Sequence, residues 1–339
     1  MLENEISIFL QPYIENGVKG IFENIDIRLK KLGIRQHRLE NPIYPSIKFF
    51  SYILDKEFTD EQKKWFVEKQ CYKALGYFPN LDNPVTFNEK TNYYKLHYKD
   101  PLITKCIDKH LFKDYVASTV GKMYVVPLIN VYDKPSEIDF DSLPEKFVIK
   151  SNWGSGSRHV VLVHDKKSLK YDELKMKLST WIQPWENVYY HTFDWGYKDI
   201  TPKIIVEKLI ERKGFEYKFF CFYGEPKFCY VANDSSPGLK NLRDFYTIPD
   251  WEFLPVKRHC PNFPEHLPKP AIMSELIEVA RKLSAPFPHV RVDMVETPEG
   301  LLAEELTFYT GSGQGAFTPT EWDTKLGEYF DISKMNIAK

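Results

Sequence analysis

The pattern of apolar residues changes near residue 124 and divides the chain into two kinds of predicted structure. Before this point apolar residues recur at helical spacing, helices are predicted to begin after Thr59 and Thr86, and a third covers residues 108–117. After it, short apolar runs between turn residues predict strands and hairpins. The predicted strands and hairpins are residues 146–150, 160–163, 204–207, 217–231 and 290–306, and the predicted helices among them are 168–182, 270–285 and 320–331. This mixture indicates the α+β class rather than a doubly wound parallel sheet.

The first 57 residues form a separate amphipathic segment. Apolar residues fall at helical spacing, interrupted by Pro12 and Gly17, and basic residues follow from Arg28 to Arg38. An amphipathic segment beside basic residues suits peripheral contact with an anionic membrane surface. The alternative, which we favour, is a helical arm that packs on the main body or on a second subunit of a homo-oligomer.

Composition and charge exclude several classes of protein. The chain has 46 basic and 47 acidic residues, so it provides no overall positive field, and we expect no nucleic-acid partner. We see no run of the roughly 18 apolar residues that a membrane-spanning helix needs. Glu3 and Glu5 stand where a secretory signal has basic residues, so we expect a cytoplasmic protein. The five cysteines form no CxxC pair, which predicts free thiols rather than a zinc site or disulfides.

A candidate phosphate site lies between two predicted strands. Lys150 ends the first strand, and a loop of small residues follows that contains Gly154, Ser155, Gly156 and Ser157. Glycines let the backbone approach a ligand, and successive N–H groups with serine hydroxyls can hold an anion beside the lysine. The spacing matches neither a Walker A loop nor GxGxxG, and a strand follows where those motifs have a helix. The alternative is a flexible hairpin turn.

A candidate metal site lies in the last predicted hairpin. Arg291 and Asp293 are two residues apart on one strand, so they share a face. A five-residue loop or a bulge pairs Asp293 with Glu305, whereas a four-residue loop pairs it with Glu304. Two facing carboxylates repel each other unless a divalent cation lies between them, and Arg291 would then meet an anion bound to that cation. The alternative is a solvent-exposed hairpin edge.

A third candidate is the strand end at residues 207–210, which is followed by Glu216 at the start of the next strand. A strand end that turns into a linker can offer N–H and C=O groups to a flat heterocycle. Taken alone, the segment equally fits an ordinary strand end at the surface.

The order of these segments resembles the ATP-grasp superfamily and, within it, the TupA-like branch, which is associated with bacterial cell-surface polysaccharide genes. The resemblance covers about residues 60–330 and rests on residues 80–90 (NLDNPVTFNEK), 108–109 (DK), 147–156 (FVIKSNWGSG), 217–224 (YKFFCFYG), 292–294 (VDM) and 305–313 (ELTFYTGSG). It implies an ATP-grasp fold with two α+β subdomains that clasp ATP. The implied division is an N-terminal helical appendage (1–57), a helical N-terminal region (58–123), a lid subdomain (124–210) and a core subdomain (211–339).

The resemblance also implies a role for each matching residue. The implied ATP-binding residues are Lys109, Lys150, Gly154, Ser155, Gly156, Ser157, Glu207, Lys208, Leu209, Ile210, Glu216 and Lys218. Among these, the two N-terminal lysines contact phosphates, the glycine–serine loop forms a lid, residues 207–210 frame adenine and Glu216 binds ribose. Asp293, Glu305 and Thr307 are the implied Mg²⁺ ligands, and Arg291 and Lys150 the implied catalytic residues. Lys218 and Arg243 are further implied phosphate contacts.

Two positions depart from the superfamily pattern. Thr307 stands where the superfamily usually has an Asn metal ligand, which weakens one predicted metal contact. Trp153 is bulky for a lid loop and suggests a lid shaped for one acceptor.

The implied activity is ATP-dependent ligation of a carboxylate to an amine through an acyl phosphate, with ATP and Mg²⁺ as cofactors. The association with surface polysaccharides suggests a uronic acid or an amino acid as the carboxylate, with the other partner supplying the amine. One alternative is a glycosyltransferase, whose Asp-x-Asp metal motif would be Asp139 and Asp141 in a predicted surface turn. The other is a non-catalytic polysaccharide-assembly protein that keeps the fold.

Overall fold

Helices dominate the first part of the chain that the structure describes. The computed structural model describes residues 59–156, 159–233 and 241–337. The predicted appendage, with its membrane and oligomer interpretations, lies outside these ranges. The helices are α1 (Asp60–Leu75), α2 (Phe87–His97), α3 (Pro101–Ile107), α4 (Leu111–Thr119), α5 (Tyr171–Trp181), α6 (Tyr189–Thr192), α7 (Met273–Ser284) and α8 (Glu321–Gly327). None of these helices combines the length and apolar character needed to cross a membrane.

Side-chain caps fix the beginnings of the first helices. Thr59 begins α1 and Thr86 begins α2, as predicted, and each of them forms a capping box. The predicted helix at 108–117 begins later, because Asp108 ends α3 in an extended conformation. The Asp108 carboxylate accepts hydrogen bonds from the N–H groups of His110 and Leu111. Lys109 therefore lies in the short turn between α3 and α4.

The strands form two sheets, and every pairing between strands is antiparallel. The strands are β1 (Leu128–Tyr132), β2 (Phe147–Ser151), β3 (Val160–Val163), β4 (Ile204–Lys208), β5 (Glu216–Phe222), β6 (Glu225–Ala232), β7 (Arg243–Thr247), β8 (Phe253–Leu254), β9 (His289–Thr297) and β10 (Gly300–Thr307). The four-stranded sheet has the order β1-β4-β2-β3, and the six-stranded sheet has the order β10-β9-β5-β6-β7-β8. The α+β class predicted from the sequence is confirmed.

The four-stranded sheet has one apolar face and one charged face. Ile149 and its neighbours on the apolar face pack with α5 in one buried cluster. On the other face, Val148 pairs with Glu207, and Lys150 pairs with Ile205. Because cross-strand partners share a face, Lys150 and Glu207 are diagonal neighbours there. The register therefore brings a predicted phosphate ligand next to the predicted adenine segment.

The six-stranded sheet forms the larger hydrophobic core. Helix α7 covers one of its faces with Leu276, Val279 and Leu283, all of them buried. Burial of each such side chain contributes about 2 kcal/mol of transfer free energy. All five cysteines of the chain are free thiols, as predicted, and four of them are buried.

A bulge sets the register of the last hairpin. Thr297 pairs with Gly300, so the loop has two residues rather than the predicted four or five. The register shifts between Ala303 and Glu305, which leaves Glu304 as an extra residue and pairs Glu305 with Asp293. The bulge, which was one of the alternatives open from the sequence, therefore places Glu305 opposite Asp293.

Candidate active site

Two of the three predicted metal ligands, Asp293 and Glu305, lie in one row across the six-stranded sheet. Glu305 is paired with Asp293, Asp293 with Lys218, and Lys218 with Tyr230. Because cross-strand partners share a face, these four side chains form a polar row over β10, β9, β5 and β6. The sequence patterns predicted the first three of these residues as site residues and missed Tyr230.

Flanking rows add further charged residues to the same face. On one side Thr307 is paired with Arg291. On the other side Glu216 is paired with Ala232, which is paired with Arg243. The face therefore collects the predicted catalytic arginine, the predicted ribose ligand, all three predicted metal ligands and two predicted phosphate contacts from separate parts of the sequence.

Asp293 is held by two cations. Arg291 donates to its carboxylate from Nε and Nη2, both at 2.6 Å, and Lys218 Nζ lies at 3.2 Å. Burial alone would raise the pKa of Asp293, but Arg291 and Lys218 outweigh it and lower the pKa. Arg291 Nη2 also donates to the Thr307 hydroxyl at 3.0 Å. Thr307 thus helps to orient Arg291, and its role as a metal ligand stays a prediction.

Lys109 connects the polar row to the predicted lid loop. Its ammonium group lies 3.0 Å from Glu305 Oε1 and donates to the carbonyl oxygen of Gly154 at 2.6 Å. The Glu305 side chain is 33% exposed, so this pair borders solvent. Lys109 therefore lies between the loop and the carboxylate row, which is where a phosphate ligand was expected.

Glu207 bridges two lysines on the four-stranded sheet. Its carboxylate lies 2.7 Å from Lys150 Nζ and 2.6 Å from Lys113 Nζ. Burial would raise the pKa of Glu207, but Lys150 and Lys113 outweigh it and lower the pKa. Lys113 also donates to the Val126 carbonyl at 2.8 Å. The sequence patterns missed Lys113.

The predicted adenine segment keeps only part of its backbone open to a ligand. The Lys208 N–H donates to the carbonyl of Pro127 at 3.0 Å. Leu209 and Ile210 are half-buried and follow the end of β4. Their role in framing adenine stays a prediction, and it rests on backbone groups rather than on the engaged Glu207 carboxylate.

Glu216 belongs to a second paired group. Its carboxylate contacts Arg212 and lies 2.9 Å from Lys218 Nζ. Arg212 Nη2 also lies 2.6 Å from Glu304 Oε1, so the bulge residue joins the same network. Burial raises the pKa of Glu304, and the Arg212 charge opposes this. The sequence patterns missed Arg212, which stands four residues before Glu216.

The base of the predicted lid loop is fixed by packing. Trp153 is only 2% exposed, and its indole N–H donates to the Trp181 carbonyl at 2.8 Å. The interpretation of Trp153 as a residue that shapes the lid for one acceptor is wrong, because its side chain is buried in the core. A Cβ at Gly154 would lie 2.5 Å from the Cβ of His159, so glycine is required there. Ser157 lies outside the described residues.

Two carboxylates are the core of the candidate metal site. Asp293 and Glu305 present hard oxygen atoms from adjacent strands, which suits Mg²⁺. Within residues 59–156, 159–233 and 241–337, no group of three or more His, Cys, Asp or Glu side chains gathers around one point. A Mg²⁺ ion held by two carboxylates and by substrate phosphates fits this donor set.

The Asp-x-Asp pair lies in an exposed turn, as predicted. Asp139 accepts a hydrogen bond from the Asp141 N–H at 3.1 Å, and both residues are exposed. Phe140 between them is buried in the cluster under α5. The turn thus serves to anchor a surface loop on the apolar face of the four-stranded sheet.

The chain is similar to one known protein family and to several solved structures. A family model described as TupA-like ATPgrasp matches residues 89–331. Similar solved structures include D-alanine–D-alanine ligase from Bacillus anthracis, at 20% identity over 60% of this chain and 57% of that chain, with a TM-score of 0.36. The same enzyme from Helicobacter pylori aligns at 14% identity over 69% and 60% of the two chains, with a TM-score of 0.39.

A D-cycloserine synthetase aligns at 13% identity over 68% of this chain and 72% of that chain, with a TM-score of 0.39. The match therefore spans 57% of the length of the Bacillus anthracis ligase and 60% of the Helicobacter pylori ligase. Among curated proteins, no sequence matches the chain significantly.

Proposed function

The chain belongs to the TupA-like ATP-grasp family, and from this membership we propose that it is an ATP-dependent carboxylate–amine ligase. One observation supports the proposal: Lys109 contacts both the predicted lid loop, at Gly154, and the predicted metal ligand Glu305. The proposed substrates are a uronic acid or an amino acid and an amine, in the synthesis of a surface polysaccharide.

The charged groups of the site suit a triphosphate. Six cationic side chains face five carboxylates, and each cation lies within 4.0 Å of at least one of the carboxylates. The cations are Lys109, Lys113, Lys150, Arg212, Lys218 and Arg291, and the carboxylates are Glu207, Glu216, Asp293, Glu304 and Glu305. The pairs keep the lysines and arginines oriented before the nucleotide binds. Phosphate oxygens would then take over part of these contacts, especially at Lys109 and Lys150.

The proposed reaction has two steps. An oxygen of the substrate carboxylate attacks the γ-phosphorus, the bond from that phosphorus to the β,γ-bridging oxygen breaks, and ADP leaves. The amine nitrogen then attacks the acyl carbon, the bond to the phosphate oxygen breaks, phosphate leaves, and the nitrogen loses a proton. Mg²⁺, when bound by Asp293 and Glu305, supplies neutralisation of phosphate charge.

The side chains of the protein have supporting roles in this chemistry. Arg291 is oriented by two hydrogen bonds to Asp293 and by one to Thr307, so its charge is fixed in place before the reaction. Lys109 ties the lid loop to the carboxylate row, and the loop would exclude water from an acyl phosphate. We also propose the domain division 58–123, 124–210 and 211–339. It is supported by the four-stranded sheet within the second range and the six-stranded sheet within the third.

The proposal is tested by incubating the protein with MgATP, a panel of uronic and amino acids, and hydroxylamine. We expect ADP and a hydroxamate from at least one acid, because hydroxylamine traps an acyl phosphate. Lys150→Ala should abolish both products. Lys170→Ala, in an exposed pair with Glu173, is the matched control and should keep them.

Other products would contradict the proposal. Release of AMP and pyrophosphate would indicate adenylation instead of phosphorylation. Thermal stabilisation by UDP-sugars, without stabilisation by adenine nucleotides, would favour a glycosyltransferase. Failure of every acid to yield ADP or hydroxamate would favour a non-catalytic assembly protein.

A further inference from the structure

Cationic groups surround Tyr230 at the end of the polar row. Tyr230 is only 4% exposed and lies directly across from Lys218. The guanidinium carbon of Arg243 is 4.3 Å from the centre of its ring, and that of Arg291 is 5.6 Å away. Within the described ranges the Tyr230 hydroxyl makes no hydrogen bond. The Tyr230 hydroxyl can therefore donate a hydrogen bond to a ligand, and it lies beside the positive charges of Arg243 and Arg291.

Arg258 adds a buried charge to the same group. It is 3% exposed, and its guanidinium donates to the carbonyls of Gly315 at 3.3 Å and Thr310 at 3.0 Å. Its own carbonyl accepts a hydrogen bond from Arg243 Nη1 at 3.1 Å. In the part of the chain that the structure describes, no carboxylate oxygen lies within 4.0 Å of this guanidinium.

The electrostatics of Arg258 reflect this arrangement. Burial lowers the pKa of Arg258 to about 10. The charges of Arg291 and Arg243 act in the same direction, and Tyr230 and Asp323 oppose them. A buried charge without a carboxylate at ion-pair distance is unfavourable. Gly311 and Gly315 let the guanidinium pack against the loop after β10, since a Cβ at Gly315 would lie 2.3 Å from Arg258 Nη2. The chain thus keeps a costly positive charge beside its catalytic face.

We propose that Tyr230, Arg243 and Arg258 form a substrate subsite, next to Arg291, for a second carboxylate of the acid that is activated. The Tyr230 hydroxyl and Arg258 Nη1, which donates no hydrogen bond to a described residue, supply donors to it. Arg291 contributes its charge, because its Nε and Nη2 are engaged with Asp293. The identity of the reacting carboxylate rests on the proposed function, whereas the subsite itself can be tested by binding alone.

The subsite predicts a preference for substrates of higher negative charge. A monocarboxylic acid would leave Arg258 without a directly bonded carboxylate, whereas a dicarboxylic acid would supply one while its other carboxylate faces Mg²⁺ and the γ-phosphate. Hydrogen bonds to a charged group are the stronger ones, so the preference should be at least about tenfold in affinity.

The experiment measures the thermal stabilisation of the protein, saturated with Mg²⁺ and a nonhydrolysable ATP analogue, during titration with small acids at constant ionic strength. Malonate, succinate and glutarate are compared with propionate, butyrate and pentanoate, which have the same carbon numbers. We expect at least one dicarboxylate to bind about tenfold more tightly than its partner. Equal affinities in all three pairs would overturn the proposal.

Variants separate the subsite from general charge effects. Tyr230→Phe keeps the ring and removes the hydroxyl, and Arg258→Lys keeps the charge and removes the forked donors. Each should reduce the preference at least about threefold with unchanged affinity for the ATP analogue. Arg281→Lys, in an exposed pair with Glu225 on α7, is the matched control and should keep the full preference. A preference that persists undiminished in both subsite variants would contradict the assignment.

Further results distinguish failure of the proposed subsite from failure of the proposed ligase function. Tighter binding of phosphonoacetate than of malonate would show that the second group is a phosphonate or phosphate rather than a carboxylate, against the proposal. A dicarboxylate preference without any hydroxamate would support the subsite and contradict the ligase function. Hydroxamate formation without a dicarboxylate preference would support the ligase function and contradict the subsite.

Discussion

The two sheets each carry charged side chains on one face, but at different positions along their strands. On the four-stranded sheet, Lys150 and Glu207 are each the penultimate residue of a strand, and Lys150 lies close to the predicted lid loop. On the six-stranded sheet, Asp293 lies in the middle of β9, and its exposure of 3% equals that of Glu207. Charge in the middle of a sheet has no water to solvate it, so each group needs an opposite charge on a neighbouring strand.

This difference indicates that the charged groups of the two sheets suit different roles. The mid-strand network of Arg291, Asp293 and Lys218 is held by strand register, which suits groups that must be fixed before a reaction. The Lys150 side chain is 16% exposed and lies beside the predicted lid loop, which suits a group that exchanges a carboxylate for a phosphate. Lys109 is the described side chain that bonds both to the lid loop and to the carboxylate row.

The largest expected effect is that of Asp293→Asn, which removes the central charge of the six-stranded sheet. It leaves Arg291 and Lys218 without their shared carboxylate, and we expect a loss of about 3–5 kcal/mol in the free energy of unfolding. Hydroxamate formation should fall by at least about a thousandfold. Urea denaturation and the hydroxamate assay measure the two effects.

Asp139→Asn, in an exposed turn, is the matched control for this variant and should change neither quantity. The 3% exposure of Asp293 contradicts the solvent-exposed hairpin edge that the sequence left open as an alternative. An unfolding free energy equal to that of the wild type in Asp293→Asn would show that the mid-strand charge is not needed for stability.

The second prediction concerns Lys113, which contacts Glu207 and not the lid loop. Lys113→Met should raise the KM for ATP by about tenfold, because Glu207 then loses one of its two cations and no longer orients Lys150. The effect on turnover at saturating ATP should be smaller. Lys113→Arg should restore most of the affinity, since a second cation returns. An unchanged KM in Lys113→Met would assign Lys113 to stability alone.

The third prediction is a pH dependence of stability. The pKa values of Asp293 and Glu207 are lowered in the folded protein, so their contribution is complete above the unfolded pKa values, about 4. It is lost as the pH falls through the lower folded values. The free energy of unfolding measured in urea should therefore decline below about pH 4. The difference in this free energy between the wild type and Asp293→Asn should become smaller there. A difference that stays constant between pH 7 and pH 3 would contradict this.

The smallest expected effect is that of Glu304→Gln, which we compare with the same substitution at the neighbouring Glu305. Glu305→Gln removes a predicted metal ligand in the row and should abolish hydroxamate formation. Glu304→Gln changes the bulge residue that contacts Arg212, and we expect less than about a tenfold loss, typical of a pair that touches no reacting group. A reversed order of the two effects would assign the metal to Glu304.

The sequence predicted local features of the fold well, because their causes are local. Caps at Thr59 and Thr86 and the apolar runs of the strands depend on residues within a few positions of one another. The hairpin register remained open from the sequence, since the same residues allow a bulge or a longer loop. Only the pairing of Ala303 and Glu305 with neighbours on β9 decides between them.

The site was predicted as a set of residues but not as a network. The resemblance named Lys150 and Glu207 as ligands of two different parts of ATP, whereas the structure pairs them with each other. Lys113 and Arg212 could not be assigned, because their partners come from strands far away in the sequence. The role of Trp153 depends on the position of Trp181, which the sequence alone does not give.

The bulge at Glu304 has a consequence for how the chain tolerates changes of length. Because Glu304 has no partner in the ladder, deleting it would return β10 to regular alternation and leave Glu305 and Thr307 opposite their present partners. An insertion or deletion elsewhere in β9 or β10 would turn the following side chains to the opposite face. The hairpin can therefore lose one residue, and with it the link to Arg212, without losing the order of the side chains on its polar face.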